Sequence, residues 1–142
     1  MAGLNRPCGL CLWQGETMQW IIARIKWIML VSGILTCTML YAAIAPQAAL
    51  RTTFGATLEG PVAEIVVRNW GALIALVGAL LIYGAFNPAS RRLILTIAII
   101  SKLIFMLLVI TYGREYLGKA GIALAVDLVS VGLFGAYLLG NR

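Results

Sequence analysis

Histidine is missing from this chain, and charge is scarce: 11 Lys and Arg with 5 Asp and Glu among 142 residues. Without imidazole there is no His-ligated haem, no His-containing zinc motif and no acid–base or nucleophilic arrangement built on that ring. Soluble domains are about a quarter charged. Here the charged fraction is 11% and the hydrophobic fraction 62%, which makes lipid the main solvent. Cysteine is sparse too, and Cys8, Cys11 and Cys37 give no disulfide framework. The chain is also too short for two independent cores. Its formal charge of +6 does not mark a nucleic-acid binder, because Lys and Arg gather at the ends of apolar runs and no basic stripe interleaves with aromatics.

What is present is a set of four apolar runs, at residues 27–45, 69–86, 93–112 and 120–139. A hydrocarbon core about 30 Å thick needs about 20 residues of helix to cross. With no water inside it, the backbone must satisfy its own polar groups, so runs of this kind are helices. The expected fold is an all-α membrane protein, a four-helix transmembrane bundle over residues 20–142, with residues 1–19 as a cytoplasmic N-terminal segment. A second reading of that segment makes residues 1–17 an overlong start, since Met18 lies close before the first span and Gly15-Glu16 fits a purine-rich ribosome-binding sequence. A signal peptide does not fit, because no small-residue cleavage site precedes a soluble domain.

The loop at residues 46–67 is the only long one. Pro46 suits the first position of a helix and Gly55 its end. Between them Gln47, Arg51 and Thr52 alternate with Ala48, Leu50 and Phe54, which predicts a short interfacial helix in this first outer loop. Gly60-Pro61 then turns the chain toward the second span. Arg6, Arg24, Lys26, Arg91, Arg92 and Arg142 fall on one side of the bundle, against Arg51, Arg68, Arg114 and Lys119 on the other. The positive-inside rule therefore puts both termini in the cytoplasm, with Trp20 and Trp27 beside Arg24 and Lys26 as an interfacial anchor.

Two ionisable residues stand inside apolar runs: Lys102 in the third and Asp127 in the fourth. A charge near the middle of a span costs on the order of 2.5–3.5 kcal/mol on insertion scales, so such residues face a protein interior, pair, or line a path. Lys102 lies about eleven residues from the short connection between these spans and Asp127 about eight, so their depths differ by about 5 Å, within reach of a lysine stem. Ser130 shares the Asp127 face one turn on, and Ser32, Thr36 and Cys37 can add hydroxyl or thiol groups from the first span. Two readings stay open: an ion pair that fixes helix register, and a buried polar site for a proton or for the head of an apolar ligand such as a quinone or lipid.

Arg68 and Asn69 open the second span, with Glu64 one turn before. They read either as a snorkelling anchor with Trp70 in the aromatic belt or as the polar outer mouth of the bundle. Cys8-Gly9-Leu10-Cys11 is a lone C-x-x-C, open to coincidence, a thiol pair or half a metal site whose other ligands a partner would supply; no metal is assigned to it. Small residues recur at helical spacing as Gly71, Ala75 and Gly78 in the second span and as Gly121, Ala125, Gly132 and Ala136 in the fourth. Such stripes let helices approach closely, within the bundle or against another subunit or copy.

A first span ending at Pro46, a loop carrying Phe54-Gly55, an Arg68-x-x-Gly71 opening to the second span, and an acid, Asp127, in the fourth together resemble the small four-helix bacterial membrane proteins of the DoxX-like group. The resemblance covers about the last 120 residues, leaving out Cys8 and Cys11, and Lys102 has no counterpart in it. It implies a multi-pass protein of the bacterial inner membrane with an accessory or quinone-proximal role, and it transfers no catalytic residue. The sequence holds no complete catalytic set. The expectation is a non-catalytic membrane subunit or small binder of hydrophobic ligands in contact with membrane lipids. The alternatives are a membrane component of a quinone-linked oxidoreductase and a proton or solute path through Lys102 and Asp127.

Overall fold

The computed structural model describes residues 9–140, with side chains from Trp20 on, Ile22 excepted. Helix α1 runs Gly9–Cys37 and α2, a short one, Leu40–Ile44; α3 covers Pro46–Thr53. Three long helices follow: α4 (Pro61–Phe86), α5 (Pro88–Tyr112) and, after a 3-10 turn at Arg114–Tyr116, α6 (Leu117–Gly140). Among the described residues four stretches are long and apolar enough to cross a membrane: Ala23–Ile44, Pro61–Phe86, Pro88–Tyr112 and Arg114–Gly140. The protein is an all-α membrane bundle. The outward side chains agree, since Ile44, Val62 and Ile122 are each more than two-thirds exposed, a surface suited to lipid.

Proline sets the helix starts. Pro46, Pro61 and Pro88 each occupy the first turn, where a missing N–H removes no helical bond. The second span therefore begins well before the apolar run at 69–86 suggests: Glu64 suits the positive end of the helix and forms an i,i+4 pair with Arg68, Nη2 to Oε1 at 2.6 Å. Asn87 ends α4 and caps α5, its Oδ1 accepting from the Ala89 N–H at 3.2 Å. Arg91 folds back to donate to the last carbonyls of α4, Gly84 O at 3.1 Å and Ala85 O at 3.0 Å.

The first span is broken. Thr36 Oγ1 donates to Ser32 O at 2.7 Å and Thr38 Oγ1 to Leu35 O at 2.6 Å, hydroxyls competing for carbonyls of the helix ladder. The chain turns at Thr38 and Met39, resumes as α2, and bends again at Ala45, where Pro46 cannot donate. Carbonyls left at that bend are taken by Arg68, whose Nη1 reaches Ala43 O at 2.7 Å and Ile44 O at 3.2 Å. Beyond it α3 buries Pro46, Ala49 and Leu50 against the bundle. The helix stops at Gly55, whose φ of +73° is the left-handed conformation that closes a helix; its N–H donates to Leu50 O and Arg51 O.

Around the bundle α1 packs on α4, α4 on α5, α5 on α6, and α6 back on α1. The α1–α4 seam is the tightest. A Cβ added at Gly78 would stand 2.7 Å from Cys37 N and 2.8 Å from Gly33 O, and where α2 continues the seam one at Gly71 would stand 2.7 Å from Ala43 N. Only hydrogen in place of a side chain allows the backbones this near. At the end carrying Asn87 the interior is solid: Ile25, Met29, Leu81, Leu95 and Phe134 are at most 2% exposed and form one cluster. At the end carrying α3 it is not.

Candidate ligand site inside the bundle

In the α3 half of the bundle the four spans enclose a cavity of about 250 Å³, far more than the ~10–15 Å³ that one water needs. The turns bordering the break in α1 contribute Ser32, Leu35, Thr36 and Met39. Trp70, Ile74 and Val77 come from α4, Ser101, Lys102 and Phe105 from α5, and Ala123, Val126 and Asp127 from α6; Thr53 of α3 stands at the edge. Most of the wall is apolar.

Its ionisable side chains are Lys102 and Asp127. Lys102 Nζ donates to Asp127 Oδ1, and the two side chains are only 10% and 18% exposed. Among the described residues no other ionisable side chain lines the cavity. The lysine uses one of its three hydrogens on Oδ1, and Oδ2 of the aspartate receives no donor from the described residues. Thr36 spends its hydroxyl on Ser32 O. Ser32 is nine-tenths buried, and neither its hydroxyl nor that of Ser101 has a hydrogen-bond partner among the described residues. The site therefore offers unused donors and an unused acceptor within mostly apolar walls, the composition of a small-molecule site.

Comparison with protein-family models, curated proteins and solved structures found no match.

The cavity is open sideways. Leu35 on α1 and Ala123 and Val126 on α6 line it and are also exposed, Leu35 by 52% and Val126 by 45%. The α1–α6 contact is made lower down, where Phe134 and Tyr137 join Ile25 and Met29 in the core; above it the two helices leave a window on the lipid side. Across the bundle, an aromatic chain of Tyr116, Phe54, Trp70 and Phe105, with successive centroids 6.0, 6.1 and 6.5 Å apart, closes the α4–α5 side. A shallower apolar groove lies behind Trp70 and Phe105, bordered by Leu50, Val67, Leu108 and Tyr112.

Other residues singled out in the sequence fall elsewhere. Ser130 is buried one turn from Asp127, but its hydroxyl donates to Val126 O at 2.8 Å and it does not line the cavity. Cys37 turns its Sγ toward Ala75 O, 3.6 Å away in the α1–α4 seam. Glu64, Arg68 and Asn69 stand outside the cavity wall; Arg68 is a clamp between α4 and the end of α2. Gly71 and Gly78 lie in the seam, whereas a Cβ at Gly121 or Gly132 would meet nothing within 4 Å, and Ala125 is exposed. Ala136 is half-buried on α6. Cys8 lies outside the described residues, as does the side chain of Cys11. Sequence reasoning missed Trp70, Phe105 and Ser101 as cavity walls; the one local signal was a hydroxyl, Ser101, directly beside the buried lysine.

Proposed function

We propose that this protein is a non-catalytic membrane protein that holds a small hydrophobic molecule within the bilayer, its polar end against Lys102 and Asp127. The observation that supports this most directly is the coincidence of the two: the buried pair lies on the wall of a largely apolar cavity with spare donors and acceptors. A pair serving only to fix register has no need of an adjoining cavity, since buried charges are held best in close packing. The solid cluster of Met29, Leu81, Leu95 and Phe134 beyond the pair favours a dead-end site over a proton or solute path. Quinones and lipids both have the required form, an apolar body with a polar end.

On the distribution of Lys and Arg the α3 end lies outside and both termini lie in the cytoplasm, and the resemblance to the DoxX-like group implies a bacterial inner membrane. Native mass spectrometry of protein extracted gently from its own membrane tests the binding role. The expected result is a bound lipid-sized mass that is lost in Ser101→Phe, which fills the cavity. A polypeptide at fixed stoichiometry, with no small molecule, would replace this reading with that of an accessory subunit.

A further inference from the structure

The chemistry of the pair narrows the ligand beyond "hydrophobic with a polar end". As an ion pair Lys102 and Asp127 sum to zero charge. No third ionisable group lines the cavity among the described residues to balance an incoming charge. An anionic head that took Lys102 would leave Asp127 unpaired, and a cationic head would do the reverse; each strands a charge in a site of low polarity.

Depth argues the same way. Lys102 stands eleven residues along α5 from Gly113 at the helix end, about 16 Å at 1.5 Å per residue. A charged headgroup would have to be drawn that far from the membrane surface, at the expense that keeps charges out of bilayer interiors. An uncharged head meets no such barrier, and the window between Leu35 and Val126 admits it sideways from the lipid.

The unused groups then select among uncharged heads. The lysine has hydrogens to give, and Asp127 Oδ2 has lone pairs to receive one. A hydroxyl can do both at once, accepting from Nζ and donating to Oδ2. An ether or ester oxygen satisfies only the lysine. Ser32, nine-tenths buried, lines the same cavity from α1 and brings a hydroxyl to it.

Building on the binding role proposed above, we infer that the cavity selects an uncharged, hydroxyl-headed lipid, its hydroxyl bridging Lys102 and Asp127 and its chain passing between α1 and α6 into the bilayer. The test uses four photoreactive probes with the same dodecyl chain and a diazirine beside the head: the alcohol, its methyl ether, the sulfonate and the trimethylammonium. Each is added to the full chain in lipid nanodiscs, and the crosslinked peptides are mapped. The alcohol is expected to label the segments of Trp70 and Phe105 at least about ten-fold more than either charged probe and several-fold more than the ether, a margin on the scale of one charge-assisted hydrogen bond. In the double variant Lys102→Met/Asp127→Leu the preference for the alcohol over the ether should fall to within about two-fold while the alcohol still labels the cavity and the charged probes stay weak, with thermal unfolding confirming a folded bundle. Equal or stronger labelling by the sulfonate, the ammonium or the ether would overturn the assignment of the head and leave the binding role standing. Labelling of the cavity by none of the four would overturn the binding role as well.

Discussion

Lys102 and Asp127 are each costly in lipid alone and tolerable together, so their energetics should be those of a unit. Removing one partner of a buried pair typically costs about 3–5 kcal/mol because the other charge is stranded. Lys102→Met and Asp127→Leu should each fall within that range. The double variant should lose less than the sum of the two, measured by denaturant or thermal unfolding in detergent; additive losses would show that the two side chains do not interact. The positions of both residues could be read from the sequence, because a charge inside an apolar run is conspicuous and helix rise gives its depth. The cavity beside them could not. Its walls come from segments far apart in the chain, and nothing local marks Trp70 as an interior aromatic rather than a member of the interfacial belt, or Phe105 as other than lipid-facing.

Beyond the apolar core, glycine contacts and arginine clamps hold helices in this bundle together, and each predicts a contrast. At Gly78 a methyl group would press on the backbone of Cys37 and Gly33, so Gly78→Ala should destabilise by about 1–3 kcal/mol through overpacking. Gly132→Ala meets nothing within 4 Å and should be neutral or stabilise by up to about 1 kcal/mol through helix propensity. Melting temperatures of the two variants side by side check this. Both glycines sit in stripes of the same spacing, and that explains the limit of the sequence reading: periodicity tells which residues share a face, and only the tertiary arrangement tells whether a helix lies against it. Arg68 is a similar case. From sequence it is a charge near a helix start, whereas in the fold it satisfies Ala43 and Ile44 carbonyls orphaned at the bend before Pro46. Arg68→Met should cost about 1–3 kcal/mol, the range for losing hydrogen bonds to a charged group, and amide exchange should rise at α2 and α3 before it rises at α5.

At the scale of the whole molecule, four spans were legible because lipid demands length and apolarity and little else, and the helix α3 was legible because Pro46 and Gly55 bound it. Their sidedness is a prediction: in a cysteine-free background, a cysteine at Thr57 should react with a membrane-impermeant thiol reagent in intact cells, and one at Ala89 only after lysis. The opposite pattern would invert the orientation. The two halves of the bundle differ in kind, one packed solid around Met29 and Phe134, the other enclosing a cavity with a side window. Such a molecule treats the two leaflets unequally. Whatever dissolves in the monolayer beside the window can exchange with the pair directly, whereas the same compound in the opposite monolayer must first flip across the bilayer. Occupancy would then follow the composition of a single leaflet, and any enzyme that moves lipids between leaflets would set it from a distance.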